Sequence, residues 1–114
     1  MEKIISKVAA LGVPGLILVV AMAASGLSGA AAVTAALAAL GPGGMIGGLV
    51  FLGISGLLAH GLTEFGFDRI FCGVVKELYK KGETKTSILE KIEKYPVSKS
   101  LKRKLREELD NYFK

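Results

Sequence analysis

The chain has 114 residues, of which 51% are hydrophobic and 22% charged, and a formal net charge of +5. That length holds one compact domain and little more. The charges are segregated: 56 consecutive residues between Lys7 and Glu64 include no Lys, Arg, Asp or Glu, which excludes a disordered chain and, as a default, a monomeric soluble enzyme.

Residues 1–13 read as an amphipathic N-terminal segment, closed by the breaker run Gly12-Val13-Pro14-Gly15. Lys3 and Lys7 ahead of an apolar stretch, with Ala21-Met22-Ala23 or Ala30-Ala31-Ala32 behind them, raise the question of a signal peptide. The apolar character runs far past both sites, which argues against cleavage.

Residues 14–63 read as a transmembrane helical hairpin. A helix from Pro14 to Leu40 is about 40 Å long and one from Met45 to Thr63 about 28 Å, against a hydrocarbon thickness of about 30 Å. The run Gly41-Pro42-Gly43-Gly44 supplies the turn, because proline lacks an amide hydrogen and glycine tolerates positive φ. Residues 1–7 carry a net +1 and residues 64–114 a net +4, while the turn is uncharged. The positive-inside rule therefore expects a cell-membrane protein with both termini in the cytoplasm.

Small residues dominate the hairpin. Ala21, Ser25, Ser28, Ala32, Ala35 and Ala39 recur at spacings of four and three, a heptad seam that lets backbones approach closely. In the second segment Gly43 and Gly47 overlap with Gly44 and Gly48, followed by Gly53 and Gly56, a small-xxx-small run that favours helix association in lipid. Glycine within a helix costs about 1 kcal/mol relative to alanine, so this density requires a compensating contact. Two helices cover only part of each small-residue face, and the remainder predicts a homo-oligomer. A simple anchor is better built from leucine and isoleucine, which partition more favourably. The marginal insertion energy also leaves room for a form that is soluble first and inserts on assembly.

Residues 64–114 form a charged helical tail. Phe67, Ile70, Phe71, Val74 and Leu78 recur at helical spacing, as do Ile88, Leu89, Ile92 and Tyr95, and then Val97, Leu101, Leu105, Leu109 and Phe113. Helix starts are expected near Glu83, Thr84 and Thr86 after Gly82, and at Ser98 as an N-cap. The stripes are expected to pack on one another as a cytoplasmic unit. The single cysteine, Cys72, cannot form an internal disulfide and reads as a small buried apolar residue in a reducing compartment.

Polar residues that need a function are few. His60, Glu64 and Asp68 are four residues apart and, on one continuous helix, share a face with Thr63 and Arg69 beside it. In a symmetric oligomer they would ring a pore mouth; otherwise they are a solvated interfacial face. As metal ligands they span about 12 Å of helix axis, too far for one ion, so no metal and no cofactor are expected. Lys76, Lys80 and Lys81, and the cluster Lys99, Lys102, Arg103, Lys104 and Arg106, suit anionic lipid headgroups or a solvated face. The cluster is interleaved with Glu107, Glu108 and Asp110 and lacks an aromatic platform, so no nucleic acid is expected. Paired histidines, a CxxC motif and a Walker loop are absent from the sequence, which argues against an enzyme. Gly41-Pro42-Gly43-Gly44 lacks the Lys and Ser or Thr that a phosphate loop needs.

The stretch SGLSGAAAVTAALAALGPGGMIGG, from Ser25 to Gly48, resembles the glycine-rich apolar hairpins of small bacterial membrane proteins. More distantly it is similar to the interferon-inducible glycine-rich membrane protein family. The resemblance implies an integral-membrane hairpin, in some cases tied to membrane permeabilisation and to cell death or defence. The animal family ends soon after its hairpin, whereas this chain continues into a charged helical tail.

These readings predict an all-α integral-membrane protein that self-assembles and forms a pore or otherwise permeabilises the bilayer, with lipid and its own copies as partners. The alternative is a membrane-anchored adaptor whose basic tail recruits a cytoplasmic protein. A third arrangement is a packed helical protein in water.

Overall fold

The computed structural model describes residues 1–24, 44–95 and 99–114, with the side chains of 44–53 and 55 outside that description. Six helices are described: α1 (Glu2–Ala9), α2 (Val13–Ala24), α3 (Gly44–Phe65), α4 (Phe67–Lys80), α5 (Lys85–Lys94) and α6 (Lys99–Tyr112). No strand occurs among the described residues, so the all-α class holds.

The architecture follows from one element with no polar face. From Leu16 to Met22 every side chain of α2 is buried, most of them at 0 or 1% exposure. A helix that is hydrophobic all round needs cover on every side, and here each of the other five helices touches α2. Those five are amphipathic where their side chains are described, and each turns its stripe inward. The stripes are Ile4, Ile5 and Val8 on α1, Ile54, Leu58 and Leu62 on α3, and Ile70, Phe71, Val74, Val75 and Leu78 on α4. Ile88 and Ile92 on α5 and Leu105 and Leu109 on α6 complete the core. Burying each of these side chains is worth about 1.5–3 kcal/mol relative to exposure, which makes α2 the organising centre.

The helix ends have local causes. Gly12, at φ +75°, turns the chain between α1 and α2, whose axes are bent by 119°. Pro14 sits in the first turn of α2, where a missing amide hydrogen leaves nothing unpaired. Gly66, at φ +88°, separates α3 from α4. Gly82, at φ +98°, closes α4: Glu83 N donates to the Leu78 carbonyl and Gly82 N to the Tyr79 carbonyl, both at 3.0 Å, the paired bonds of a Schellman motif. Thr84 then caps α5, its hydroxyl accepting from Ser87 N at 3.1 Å while Thr84 N donates to the Ser87 hydroxyl at 2.8 Å.

Several expectations meet this architecture directly. The tail stripes form helices at the expected places, and α5 begins beside Thr84. Ser98 and Val97 lie outside the described residues. The stripes pack on α2 as well as on one another. The second apolar segment does not run on into the tail: it stops at Gly66, whose positive φ ends the helix. Among the described residues no single helix is long and apolar enough to cross a membrane; α1 and α2 reach that length and hydropathy only taken together.

Candidate functional site

Three features of the described surface combine unusual chemistry with a definite geometry. The first is the outward face of α3. Its inner row, Ile54, Leu58 and Leu62, is spent on the core, and Gly61 fits between Ile4 and Ile70. On the outer side Gly56 faces open space, Leu57 is 37% exposed, and His60 and Glu64 follow one and two turns later. His60 Nε2 stands 2.6 Å from Glu64 Oε2, with both side chains more than half exposed. The Thr63 hydroxyl donates to the Ala59 carbonyl at 3.0 Å and needs no other partner.

The predicted constellation of His60, Glu64 and Asp68 is therefore divided. His60 and Glu64 share a face, whereas Asp68 lies beyond the Gly66 break in the first turn of α4. There it lines a depression of about 400 Å³ with Met1, Ile5, Arg69, Cys72, Gly73 and Lys76. Burial and the Asp68 carboxylate push the Cys72 thiol above its ordinary value of 9.0, against a smaller opposing effect of Lys76. At neutral pH Cys72 is a thiol rather than a nucleophilic thiolate. Among the described residues no group of three His, Cys, Asp or Glu side chains could hold a metal ion.

The small-residue seam is described in part. Ala21 is buried in α2 at 6% exposure. Ser25, Ser28, Ala32, Ala35, Ala39 and Gly43 lie outside the described residues. Gly44, Gly47, Gly48 and Gly53 lie on α3, in the half whose surroundings are not described, and Gly56 is the seam member seen to face open space.

The second feature is the lysine set of α4. Lys80 pairs with Glu77 at 3.2 Å, and with Lys76 it borders a groove beside Glu2 and Ser6 of α1. Lys81 has a structural task, since its Nζ donates to the carbonyl of Ala9 at 3.2 Å and so caps the C-terminal end of α1. That contact joins residues 72 apart in sequence, and sequence spacing alone carries no signal of it.

The third feature is the charge on α6. The helix starts with Lys99, Lys102, Arg103 and Lys104 and has no acidic residue in its first turn, while Glu107, Glu108 and Asp110 follow in its later half. This is the reverse of what the helix dipole favours, at about 0.3–1 kcal/mol per charge. The Lys99–Arg106 region meets the end of α5 around Glu93, which accepts from Arg106 Nη2 at 2.6 Å. Sequence reasoning found the basic cluster but not Glu93 at its centre.

Glycines that admit close contact are the other residues missed from sequence. A Cβ at Gly15 would overlap the Val8 carbonyl oxygen, and one at Gly73 would overlap the end of Ile5. The signal was present for Gly73, a glycine in the middle of the amphipathic pattern of α4 that requires a packing reason. Comparison with protein-family models, with curated proteins and with solved structures finds no match to this chain.

Proposed function

We propose that the chain is a self-assembling membrane protein that permeabilises bilayers, with residues 14–63 as its membrane-entering hairpin and the charged helices as a cytoplasm-facing cover. The observation that supports this most is the burial of α2. Ten consecutive residues from Val13 to Met22 carry no polar side chain, and they adjoin a stretch that stays uncharged as far as Glu64. A protein core and hydrocarbon both exclude water, so α2 gains little or loses little by exchanging one for the other. The amphipathic helices that release it recover their apolar stripes at the headgroup boundary. The fold is thus read as a covered state of a hairpin whose insertion energy is marginal.

Self-association finds support in the outer face of α3, where Gly56 has nothing among the described residues within 4 Å of its Cβ position and Leu57 is exposed beside it. A second copy on this face would bring glycine against backbone and shield Leu57. His60 and Glu64 would then sit at the end of the assembled helices, as polar groups at a pore mouth.

The test is dye release from liposomes by the purified chain, with mass measured in detergent alongside. Release together with a defined oligomer supports this function. A tight monomer without release overturns it in favour of the anchored adaptor, and a chain that neither partitions into vesicles nor releases dye overturns both. Replacing Gly44 and Gly48 by leucine is expected to break the oligomer, and an unchanged mass would count against the assigned seam.

A further inference from the structure

The end of α5 and the first half of α6 enclose a depression of about 320 Å³ lined by Glu93, Lys99, Lys102, Arg103 and Arg106. Four cations less one carboxylate leave it a formal charge of +3. The single carboxylate is already shared, with Arg106 Nη2 at 2.6 Å from Oε1 and Lys102 Nζ at 3.9 Å from Oε2. Lys102 donates instead to the Glu93 backbone carbonyl at 3.0 Å, which fixes its ammonium at the rim. Lys99 and Arg103 make no ion pair among the described residues. Four like charges gathered in one concavity, at the helix end where the dipole opposes them, raise the energy of the empty fold. A ligand with at least two negative oxygens removes that repulsion.

We infer that this depression binds a phosphate group, and that the phosphate is that of an anionic phospholipid headgroup. The guanidinium of Arg103 offers a planar fork that matches two phosphate oxygens. Lys99 adds a mobile point charge, and Arg106 stays oriented by Glu93 while its remaining donors are free to reach the ligand. The inference rests on the membrane reading above and adds to it a defined contact between α6 and the lipid surface. It also assigns the α4 lysines a lesser part, since Lys81 is engaged with Ala9 and Lys80 with Glu77.

The experiment measures co-sedimentation of the full chain with vesicles of pure phosphatidylcholine and with vesicles containing phosphatidylglycerol, and takes the ratio of the two affinities. Lys99→Gln with Arg103→Gln is expected to reduce that preference by about thirtyfold, on the scale known for two basic residues at an anionic surface. Lys76→Gln with Lys80→Gln removes the same charge and is expected to reduce it by less than about threefold. Circular dichroism of both variants checks that the helices persist. Equal losses in the two variants would mean that only diffuse charge attraction operates and would overturn the site. Binding of inorganic phosphate in solution with no preference between the vesicles would overturn the lipid assignment. Dye release is read separately, so a failure of the headgroup site and a failure of permeabilisation are distinguishable.

Discussion

Gly15 of α2 lies against the backbone carbonyl of Val8 in α1, so closely that a Cβ at Gly15 would overlap that oxygen. The contact lets α1 fold back across the start of α2 at 119°. Backbone cannot move aside as a side chain can, so Gly15→Ala must push the two helices apart. Overpacking of this kind costs about 1–3 kcal/mol, more than the gain of about 1 kcal/mol from replacing a helical glycine. At Gly73 the obstructing atoms are the Ile5 side chain, which can swing outward. Gly15→Ala should therefore lower the urea midpoint clearly, and Gly73→Ala by less, with the denaturant slope unchanged in both. The opposite order would show that the α1–α2 crossing is not the tight contact.

Gly56 is the converse case, because nothing among the described residues lies within 4 Å of its Cβ position. Gly56→Ala should stabilise the unassembled chain by up to about 1 kcal/mol through helix propensity and reduced freedom of the unfolded state. The same methyl group would hold a second copy away from the α3 backbone. Thermal unfolding and mass measurement in detergent are expected to move in opposite senses, with higher Tm and a smaller assembled fraction. A higher Tm without any change in assembly would remove Gly56 from the proposed interface.

Legibility varied along the chain for physical reasons. The stripe Leu101, Leu105, Leu109 and Phe113 is visible in sequence because each residue faces the core once per turn, and Thr84 is visible as a cap because its partner Ser87 lies three residues away. The identity of the surface beneath those stripes is a long-range property, and periodicity cannot tell whether α2 is covered by lipid or by other helices. Gly66 illustrates a second limit. In sequence it is one glycine among fifteen, yet its positive φ separates Asp68 from His60 and Glu64. Glu93 likewise looks like one more exposed acid until α6 is folded against it.

The junction before α5 carries a pH dependence. Hydrogen bonds from Lys91 and from the Ser87 hydroxyl hold the Glu83 carboxyl below its ordinary value of 4.5, outweighing the desolvation that raises it. The folded state thus prefers the ionised form. The stabilisation is fully present above the unfolded value and is lost as pH falls through the lowered one. The pair is partly exposed, with the Lys91 side chain at 50%, so the effect at neutral pH is about 1 kcal/mol or less. Glu83→Gln should lower Tm slightly at pH 7 and converge with the unmodified chain as pH falls below 4.5 and through the lowered folded-state value. A constant gap across that range would mean that the ionised carboxylate contributes nothing at this junction.

Release of α2 is the step on which the proposed insertion depends, and the fold offers a way to block it. Cys72 of α4 and Asn111 of α6 line the same depression, together with Asp68, Phe71, Glu108 and Tyr112. Asn111→Cys places a second thiol across from the first, and a short bis-maleimide would tether α6 to α4 over the covered helix. Because burial raises the Cys72 thiol above its ordinary value, labelling there is expected to run more slowly at neutral pH than at an exposed cysteine. If α2 must leave its cover to reach hydrocarbon, the tethered chain should bind vesicles yet release no dye. A reducible linker of similar length should restore release when dithiothreitol is added. Undiminished release from the tethered chain would mean that α2 stays beneath α6 throughout and that the uncharged residues after it enter the bilayer without its help.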